Sequence, residues 1–495
     1  MRRPILVVLA VLLAQAPAFA ETLFDKRGKR ASIQSYQSYL HGVRAKLYDS
    51  DEDEREEAFE LIEESLENPK LDGDWEFPLE LLGDLMLGTA LPPDAEIDQD
   101  LQEEGLDLLI KNALNDSFPI SRREFALGQL RRVVHAKRLV NPDFREDTFD
   151  ALSTLSGDTL LVLSHGAVNA LGAVALRRGS RWKETADDAA EILADRMDED
   201  NLELRRIAIL ETLELLRTAK QPRERLNNLW EELAEAVEDI DSASLQQDLR
   251  PRLLRLAKAN ESTPFASQAE ELRDAVKELK KRTKPAKGAF PEILAQLADE
   301  QDIPDLEALL ARIEKDGRGD PTLRTLGLAA VVARASRQET APYILRLLLD
   351  SLLRQGRVKG SPMMYYRTAS QLLNLTYAHR DSGKANLPLA QLARLLASTD
   401  KPGLVVPVLD EIKSMAMGKA QPVWIGRRMV ALLFLQAGDS PSARIRKHAL
   451  QLLQVIGRAG RNWAIRREVW TRMALLARFA RDDGIKAGAQ RWLKG

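Results

Sequence analysis

The sequence contains no cysteine. Its absence excludes disulfide bonds, and it also excludes lipid attachment at an N-terminal cysteine, which requires that thiol. Without thiolates, a zinc site would need histidines that folding brings together with carboxylates. The five histidines are too widely spaced for two of them to share a helix at ligand spacing; they are His41, His135, His165, His379 and His448. We therefore expect no metal site and no cofactor.

Recognisable catalytic motifs are also missing. The chain has no Gly-x-Ser-x-Gly elbow, phosphate-binding loop, dinucleotide fingerprint or His-Glu-x-x-His helix. Lytic transglycosylase domains need a Glu-Ser pair followed by a glycine-rich segment, and nothing suitable follows Glu64-Ser65 or Glu261-Ser262. The sequence favours a protein that is not an enzyme. A hydrolase with an all-α fold that assembles a carboxylate pair by folding remains an alternative.

One acidic segment partly matches a calcium-binding loop. Asp49, Asp51, Asp53 and Glu60 occupy its first, third, fifth and twelfth positions, but Glu54 stands where the loop needs glycine. We interpret these carboxylates as the start of a helix, where the helix dipole favours negative charge. Whether the acidic loops around 72–74 and 94–100 hold a cation stays open.

Long apolar runs are confined to the amino terminus. Met1-Arg2-Arg3 precedes an apolar run from Ile5 to Leu13, and Ala18-Phe19-Ala20 forms a small-x-small cleavage site. We expect residues 1–20 to be a cleaved signal peptide; a retained membrane anchor is the alternative. Because an exported protein of this size without disulfides suits a bacterial periplasm, we expect a soluble periplasmic protein that is not a lipoprotein.

Charge is distributed unevenly along the chain. Residues 49–116 contain 24 Asp and Glu against three basic residues, a net of −21, whereas residues 321–495 contain 29 Lys and Arg against 10 Asp and Glu, a net of +19. A basic, proline-containing stretch at 277–289 lacks apolar periodicity, which is typical of a linker. We therefore divide the mature chain into an acidic repeat region at 21–276, the linker, and a basic repeat region at 290–495.

Apolar residues recur at helical spacing almost throughout, and no alternating run is long enough to suggest a sheet. We expect more than about 60 % helix. Helix starts are expected where a capping residue precedes proline, at Asp320-Pro321, Ser361-Pro362 and Ser440-Pro441, with the last helix ending at Gly457.

Several helices share a pattern of a capping residue, a basic residue four positions later, and a small residue three further on. Examples are Asp51-Arg55-Ala58, Asn201-Arg205-Ala208, Asp320-Arg324-Gly327, Ser442-Arg446-Ala449 and Asp482-Lys486-Ala489, with Arg123-Ala126 lacking the cap. The basic positions from Arg123 onward are 82, 119, 122 and 40 residues apart, close to multiples of about 40. The chain thus resembles the HEAT-repeat superfamily, which implies an all-α, HEAT-like α-solenoid of antiparallel helix pairs, each contacting only its neighbours.

Basic and aromatic residues are interleaved near the carboxyl end. The candidate partner-binding residues are Trp424, Arg427, Arg428, Arg444, Arg461, Arg466, Arg467 and Arg478. Nucleic acid is an improbable ligand for an exported protein, so we expect a scaffold or adaptor that binds another protein, which is acidic or is a second copy using its acidic half. A module that binds an anionic envelope polymer or lipid headgroup is the alternative. The arginines could instead bond within the repeats.

Overall fold

A computed structural model describes twelve stretches of the chain, and all structural statements below refer to them. They are residues 42–43, 45–49, 51–67, 75–87, 98–136, 144–177, 183–217, 223–278, 286–357, 361–418, 422–460 and 462–494. Within these stretches 82 % of residues are helical, no strand occurs, and 22 helices pack sequentially against their neighbours. The expected all-α, solenoid-like fold is confirmed.

The chain divides into two compact units, residues 1–155 and residues 156–495. The first unit contains five helices: α1 Glu52–Glu67, α2 Glu76–Leu87, α3 Gln99–Leu114, α4 Ile120–His135 and α5 Phe144–Ser156, whose last residue falls across the division. Helix α2 packs against α3 and α4, and α3 packs against α4. Leucines from all three helices, among them Leu82, Leu109 and Leu130, are fully buried and form the core of this unit.

The second unit contains seventeen described helices. They are α6 Leu161–Ala175, α7 Lys183–Met197, α8 Leu202–Arg217, α9 Arg223–Glu238, α10 Ala243–Asn260, α11 Ala266–Glu278, α12 Phe290–Asp299, α13 Ile303–Gly319, α14 Pro321–Ala335, α15 Pro342–Gly356, α16 Pro362–Ala378, α17 Asn386–Leu396, α18 Pro402–Ala416, α19 Val423–Asp439, α20 Ala443–Ala459, α21 Trp463–Phe479 and α22 Asp483–Lys494. From α12 onward, helices alternate between two layers. The even-numbered helices pack on one another, as do α13, α15 and α17, and likewise α19 and α21.

Polar contacts between successive repeats show the period directly. Many side chains that bond across the repeats are separated by 36 to 43 residues, as in Arg55–Asp98, Arg206–Asp248, Arg354–Glu314, Arg427–Glu468 and Arg446–Asp482. This spacing agrees with the period of about 40 residues predicted from the sequence. Each pair links helices of adjacent repeats, so the ion pairs repeat along the chain as the helices do.

The recurrent arginine of the sequence pattern has a structural role. Arg324 Nε donates to Gly317 O at 2.8 Å, and Arg446 Nη1 donates to Ser440 O at 2.7 Å. Arg123 Nε donates in the same way to Ala113 O at 2.9 Å. The last carbonyl groups of a helix have no partner within that helix. At these three positions the arginine of the following helix therefore satisfies them, whereas Arg205 donates to Ala236 O of a later helix.

The small residue of the same pattern permits close helix packing. Ala208 and Ala449 are fully buried. A Cβ atom added to Gly327 would lie 2.5 Å from Ile313 Cγ2, so any larger residue would overlap the preceding helix. The pattern therefore combines a carbonyl-binding arginine with a small residue that allows helices to approach at about 8 to 10 Å.

Two of the three predicted helix starts agree with the structure. Asp320 caps α14 by accepting bonds from the amides of Thr322 and Leu323, and α16 begins at Pro362 directly after Ser361. The prediction at Ser440 was wrong. Ser440 ends α19, α20 begins two residues later than expected with Ser442 in the capping position, and α20 continues past Gly457 to Ala459. A proline thus marks the turn here rather than the first turn of a helix.

The repeat array of the second unit folds back on itself. Besides the contacts between neighbouring helices, α8 packs against α15, and α10 packs against α13. The expectation that each repeat contacts only the next is therefore wrong at this point. The layer that contains α8 and α10 lies against the layer that contains α13 and α15, in reverse order, as in a hairpin of helices.

Two predicted segments fall largely outside the described residues. The predicted signal peptide at 1–20 does so entirely, and of the predicted linker at 277–289 only its ends are described, because residues 279–285 are not. The division of the chain at that linker stays a prediction; both of its described ends belong to the second unit. Within the described stretches, none of the helices combines the length and the apolar character needed to cross a membrane.

Candidate functional site

Seven of the eight candidate partner-binding residues lie on three consecutive described helices. Helix α19 carries Trp424, Arg427 and Arg428, helix α20 carries Arg444, and helix α21 carries Arg466, Arg467 and Arg478. The eighth, Arg461, is outside the described residues. Folding thus gathers the candidates on adjacent repeats.

Helices α19 and α21 run side by side in the same direction. Gly426 lies against Ile465 near their first turns, and Gly438 lies 3.8 Å from Leu476 Cδ2 near their last, measured from an added Cβ. Because a Cβ at Gly426 would overlap Ile465, the glycine permits this approach. The two helices therefore present one continuous surface in which residues about 40 positions apart are neighbours.

An ion-pair cluster joins the two helices. Arg427 Nη2 lies 3.2 Å from Glu468 Oε2, and Arg472 Nε lies 2.7 Å from Glu468 Oε1. Burial of Glu468 disfavours its charged form, but the two guanidinium groups outweigh that effect and hold the pKa of Glu468 below its usual range. Arg427 therefore has a structural partner within the repeats.

Arg466 likewise bonds within the repeats. Its Nε donates to Gly457 O at 3.1 Å, the same arrangement as the recurrent arginine described above. Arg427 and Arg466 were predicted from the sequence to belong to a binding surface. Their contacts instead match the alternative interpretation, in which arginines hold neighbouring helices together.

The other candidates are more accessible. Arg428, Arg444 and Arg478 are exposed, whereas Trp424 and Arg467 are half-buried. Positions seven or eleven residues apart lie on one side of a helix, so Arg428 shares a side of α19 with Leu435, and Arg467 shares a side of α21 with Arg478. Cationic groups thus line the outer side of both helices.

Two exposed apolar side chains accompany these cations. Leu435 is 45 % exposed and Phe479 is 65 % exposed. The guanidinium carbon of Arg478 lies 5.0 Å from the centre of the Phe479 ring, within range of a cation–π interaction. We name as the basic face the set of Trp424, Arg428, Leu435, Arg444, Arg467, Arg478 and Phe479.

Sequence reasoning missed Leu435 and Phe479. A signal was available, because Leu432 and Leu433 are buried and Leu435 is rotated by about 200° from Leu433 around the helix. An apolar residue on the polar side of an amphipathic helix marks a surface that contacts something other than its own core.

A second polar cluster, partly buried, lies where the array folds back. Arg346 on α15 lies 3.5 Å from Glu203 on α8 and 3.5 Å from Asp248 on α10, and Arg206 Nη2 lies 2.8 Å from Asp248 Oδ2. Burial of Glu203, which is only 3 % exposed, raises its pKa to about 7, although Arg346 and Arg206 act in the opposite direction. We name these four residues the junction cluster.

The start of α10 is held by the opposing layer. Ser242 Oγ lies 2.6 Å from both Glu307 Oε1 and Tyr343 OH, and Glu307 also accepts bonds from the amides of Ala243 at 2.8 Å and Ser244 at 2.9 Å. A carboxylate at a helix N-terminus satisfies amide groups that lack partners and is favoured by the helix dipole. Glu307 therefore caps a helix that is 63 to 65 residues away in sequence.

Several of the other residues considered from the sequence as metal ligands make hydrogen bonds within the protein. Asp49 Oδ1 accepts from the amide of Asp51, and Asp51 Oδ1 accepts from the amide of Asp53, so these carboxylates order the start of α1 as interpreted from the sequence. His379 is buried, and its Nε2 lies 2.6 Å from Ala335 O. In the described stretches no group of three or more His, Asp or Glu is placed to hold a metal ion. The acidic loops at 72–74 and most of 94–100 lie outside those stretches.

Comparison with known proteins gives no assignment. No protein-family model and no curated protein matches the chain. Among solved structures, one engineered protein of the Northeast Structural Genomics Consortium is 16 % identical, with 92 % of this chain and 98 % of that chain covered and a TM-score of 0.26. Another engineered protein from the same consortium is 12 % identical over 48 % of this chain and 95 % of that one, with a TM-score of 0.21. Scores this low carry no argument about fold or function.

Proposed function

We propose that this chain is a non-enzymatic, HEAT-like adaptor of the bacterial periplasm that binds an acidic protein through the basic face. The observation that carries the proposal is the grouping of exposed Arg428, Arg444 and Arg478 with exposed Leu435 and Phe479 on adjacent helices. Arginine and aromatic residues are enriched at protein interfaces, where they supply much of the binding energy.

The architecture supports a binding role. Helical repeat proteins commonly bind partners along extended layers of helices, and here α19 and α21 form such a layer. The fold by itself does not establish function, so the proposal depends on the chemistry of the face. Glu468 lies between the two helices with its charge offset by Arg427 and Arg472. Asp439, exposed at the end of α19, is outnumbered by the arginines of the face, so the face keeps a net positive charge.

The apolar residues favour a protein over an anionic polymer or a lipid headgroup. Phosphates and sugar acids would be held by the guanidinium groups and would gain little from Leu435 and Phe479. An acidic protein would use both kinds of contact, with the charges steering association and the apolar groups slowing dissociation. The carboxylates of the junction cluster, buried Glu203 and half-buried Asp248, are engaged with arginines, which suits a structural role better than hydrolysis.

The periplasmic location is part of the proposal because of the amino-terminal sequence. Cleavage after Ala20 would release a mature chain that begins at Glu21. Intact-mass measurement of the exported protein tests this step: a mass that retains residues 1–20 would show that the apolar segment is an anchor.

The binding proposal is tested by capture from a periplasmic extract on the immobilised mature chain. The basic-face variant replaces Arg428, Arg444 and Arg478 with Glu, and a matched variant replaces Lys258, Arg318 and Arg367 with Glu, which are exposed on α10, α13 and α16. We expect the basic-face variant to keep its helical circular dichroism and to retain its specific protein partner at least about tenfold more weakly than the matched variant does.

Equal retention by the two variants would refute the role of the basic face. The alternative is examined with vesicles that contain anionic lipid and with an anionic polysaccharide. Binding to either one that is lost only in the basic-face variant, without a captured protein, would favour the envelope-polymer or lipid-headgroup reading.

A further inference from the structure

The first unit carries a surface of opposite charge. Helix α1 contains nine Asp and Glu against one Arg, and α3 contains four against one Lys, so together they carry −11. The exposed carboxylates are Glu52, Asp53, Glu56, Glu57, Glu60, Glu64 and Glu67 on α1, and Asp100, Glu103, Glu104 and Asp107 on α3. We name these residues the acidic face.

The two helices of the acidic face are joined near their first turns. Arg55, near the start of α1, bonds to Asp98 at the start of α3, with Nη2 3.1 Å from Oδ2. Farther along, burial and the neighbouring charge of Glu104 raise the pKa of Glu63. Arg55 is paired with Asp98, which is outside the acidic face. Glu57 of the face is paired with Lys46 at 2.7 Å, and the other carboxylates still leave the face strongly negative.

The two faces match in kind and in size. The basic face takes its charged residues from α19, α20 and α21, and the acidic face takes them from α1 and α3. Arg467 and Arg478 are eleven residues apart on α21, and Glu52 and Glu64 are twelve apart on α1, which correspond to about 16 and 18 Å along the helix axes. Carboxylates at intervals of four residues, as at Glu52, Glu56 and Glu60, recur about every 6 Å along one side of α1.

We infer that the acidic partner of the basic face is the acidic face of a second copy of this chain. This inference rests on the proposed function and specifies its partner. Each chain carries one face of each sign on different units, so a second copy always offers a complementary surface. Such a contact joins different surfaces of the two copies, and it can repeat head to tail to form open chains.

Electrostatic association of this kind has a defined response to salt. Exposed charges are screened within a Debye length of about 10 Å at 0.1 M ionic strength and about 3 Å at 1 M. Sedimentation velocity of the mature chain should therefore show concentration-dependent self-association in 0.05 M NaCl that weakens at least about tenfold by 0.5 M NaCl.

Charge exchange tests which surfaces meet. The basic-face variant with Arg428, Arg444 and Arg478 replaced by Glu should sediment as a monomer, and so should an acidic-face variant. The acidic-face variant replaces Glu56, Glu60 and Glu103 with Lys. Mixing the two variants should restore association, because each then offers a surface complementary to one on the other, and a chain with all six substitutions should associate alone. The matched Lys258, Arg318 and Arg367 variant should behave like the wild type.

A wild-type chain that stays monomeric at about 100 μM in low salt would overturn the inference. So would triple variants that remain monomeric when mixed while keeping wild-type helicity. If either occurs while the basic face still retains another acidic protein from the extract, the proposed function stands and only the identity of its partner is wrong. If extract capture also fails, both are wrong.

Discussion

Replacing Glu203 with Gln should change how the stability of the second unit depends on pH. Burial raises the folded-state pKa of Glu203 from 4.5 to about 7, so the folded protein holds this proton more tightly than the unfolded chain does. The stability that this preference contributes is fully present below pH 4.5 and is lost as the pH rises through 7. Since one pKa unit corresponds to about 1.4 kcal/mol, the loss amounts to about 3 kcal/mol by pH 8.

Gln has nearly the size of the protonated Glu and cannot ionise. We therefore expect the Glu203→Gln variant to match the wild type at pH 5 and to be more stable by up to about 3 kcal/mol at pH 8. Urea unfolding, followed by the fluorescence of buried Trp230 and by circular dichroism, measures the difference at both values. The other carboxyl groups and histidines titrate in both proteins, so their contributions cancel in the comparison.

Glu214→Gln is the matched control for this experiment. Glu214 lies on the same helix α8, is exposed, and pairs with Arg217 one turn away. Its replacement should change stability by less than about 1 kcal/mol at either pH, because exposed ion pairs contribute little. If Glu203→Gln shows the pH dependence of the wild type, or is less stable than the wild type at pH 8, the account of the junction cluster is wrong.

Three further substitutions test the packing of the helices. Arg346→Met should destabilise the second unit by up to about 3 kcal/mol at pH 8 in urea unfolding, because buried Glu203 would lose Arg346 and both carboxylates would be left with Arg206 alone; an unchanged midpoint would contradict this. Gly327→Ala should lower stability by about 1 to 3 kcal/mol, because its Cβ would meet Ile313 Cγ2 at 2.5 Å. Gly128→Ala, on α4 with nothing within 4 Å of the added Cβ, should instead raise stability by about 0.5 to 1 kcal/mol in the same assay.

The helices and their period were predictable because their causes are local. Apolar spacing along one helix, and a cap or an arginine near its start, are visible in a short stretch of sequence. The carbonyl groups that Arg324 and Arg446 satisfy are only six or seven residues away, so the cause of the pattern at these helices is local. This is why a period of about 40 residues could be measured before any contact was known.

The fold-back of the array was not predictable, because the residues that form it are far apart in the sequence. Glu203 and Arg206 are three residues apart and read as an ordinary surface pair, but Asp248 and Arg346, which complete the cluster, are 98 residues apart. No spacing in the sequence links the four. Similarly, the sequence does not distinguish Arg427, which pairs with Glu468, from the exposed Arg428 beside it, because the difference is set by a helix 41 residues away.

The junction cluster also bears on where the basic face lies. Buried ion pairs add little net stability, since removing charges from water offsets their attraction, but a mispaired register would leave a charge buried alone. The contacts of Arg346 with Glu203 and Asp248 therefore favour one register of the fold-back over its neighbours. In that register α10 packs on α13, and α8 packs on α15. Arg428 and Arg478, which lie on helices farther along the array, stay exposed. On this argument the same repeat layer serves two purposes: its first helices bind the chain itself through buried charges, and its later helices present exposed charges to a partner.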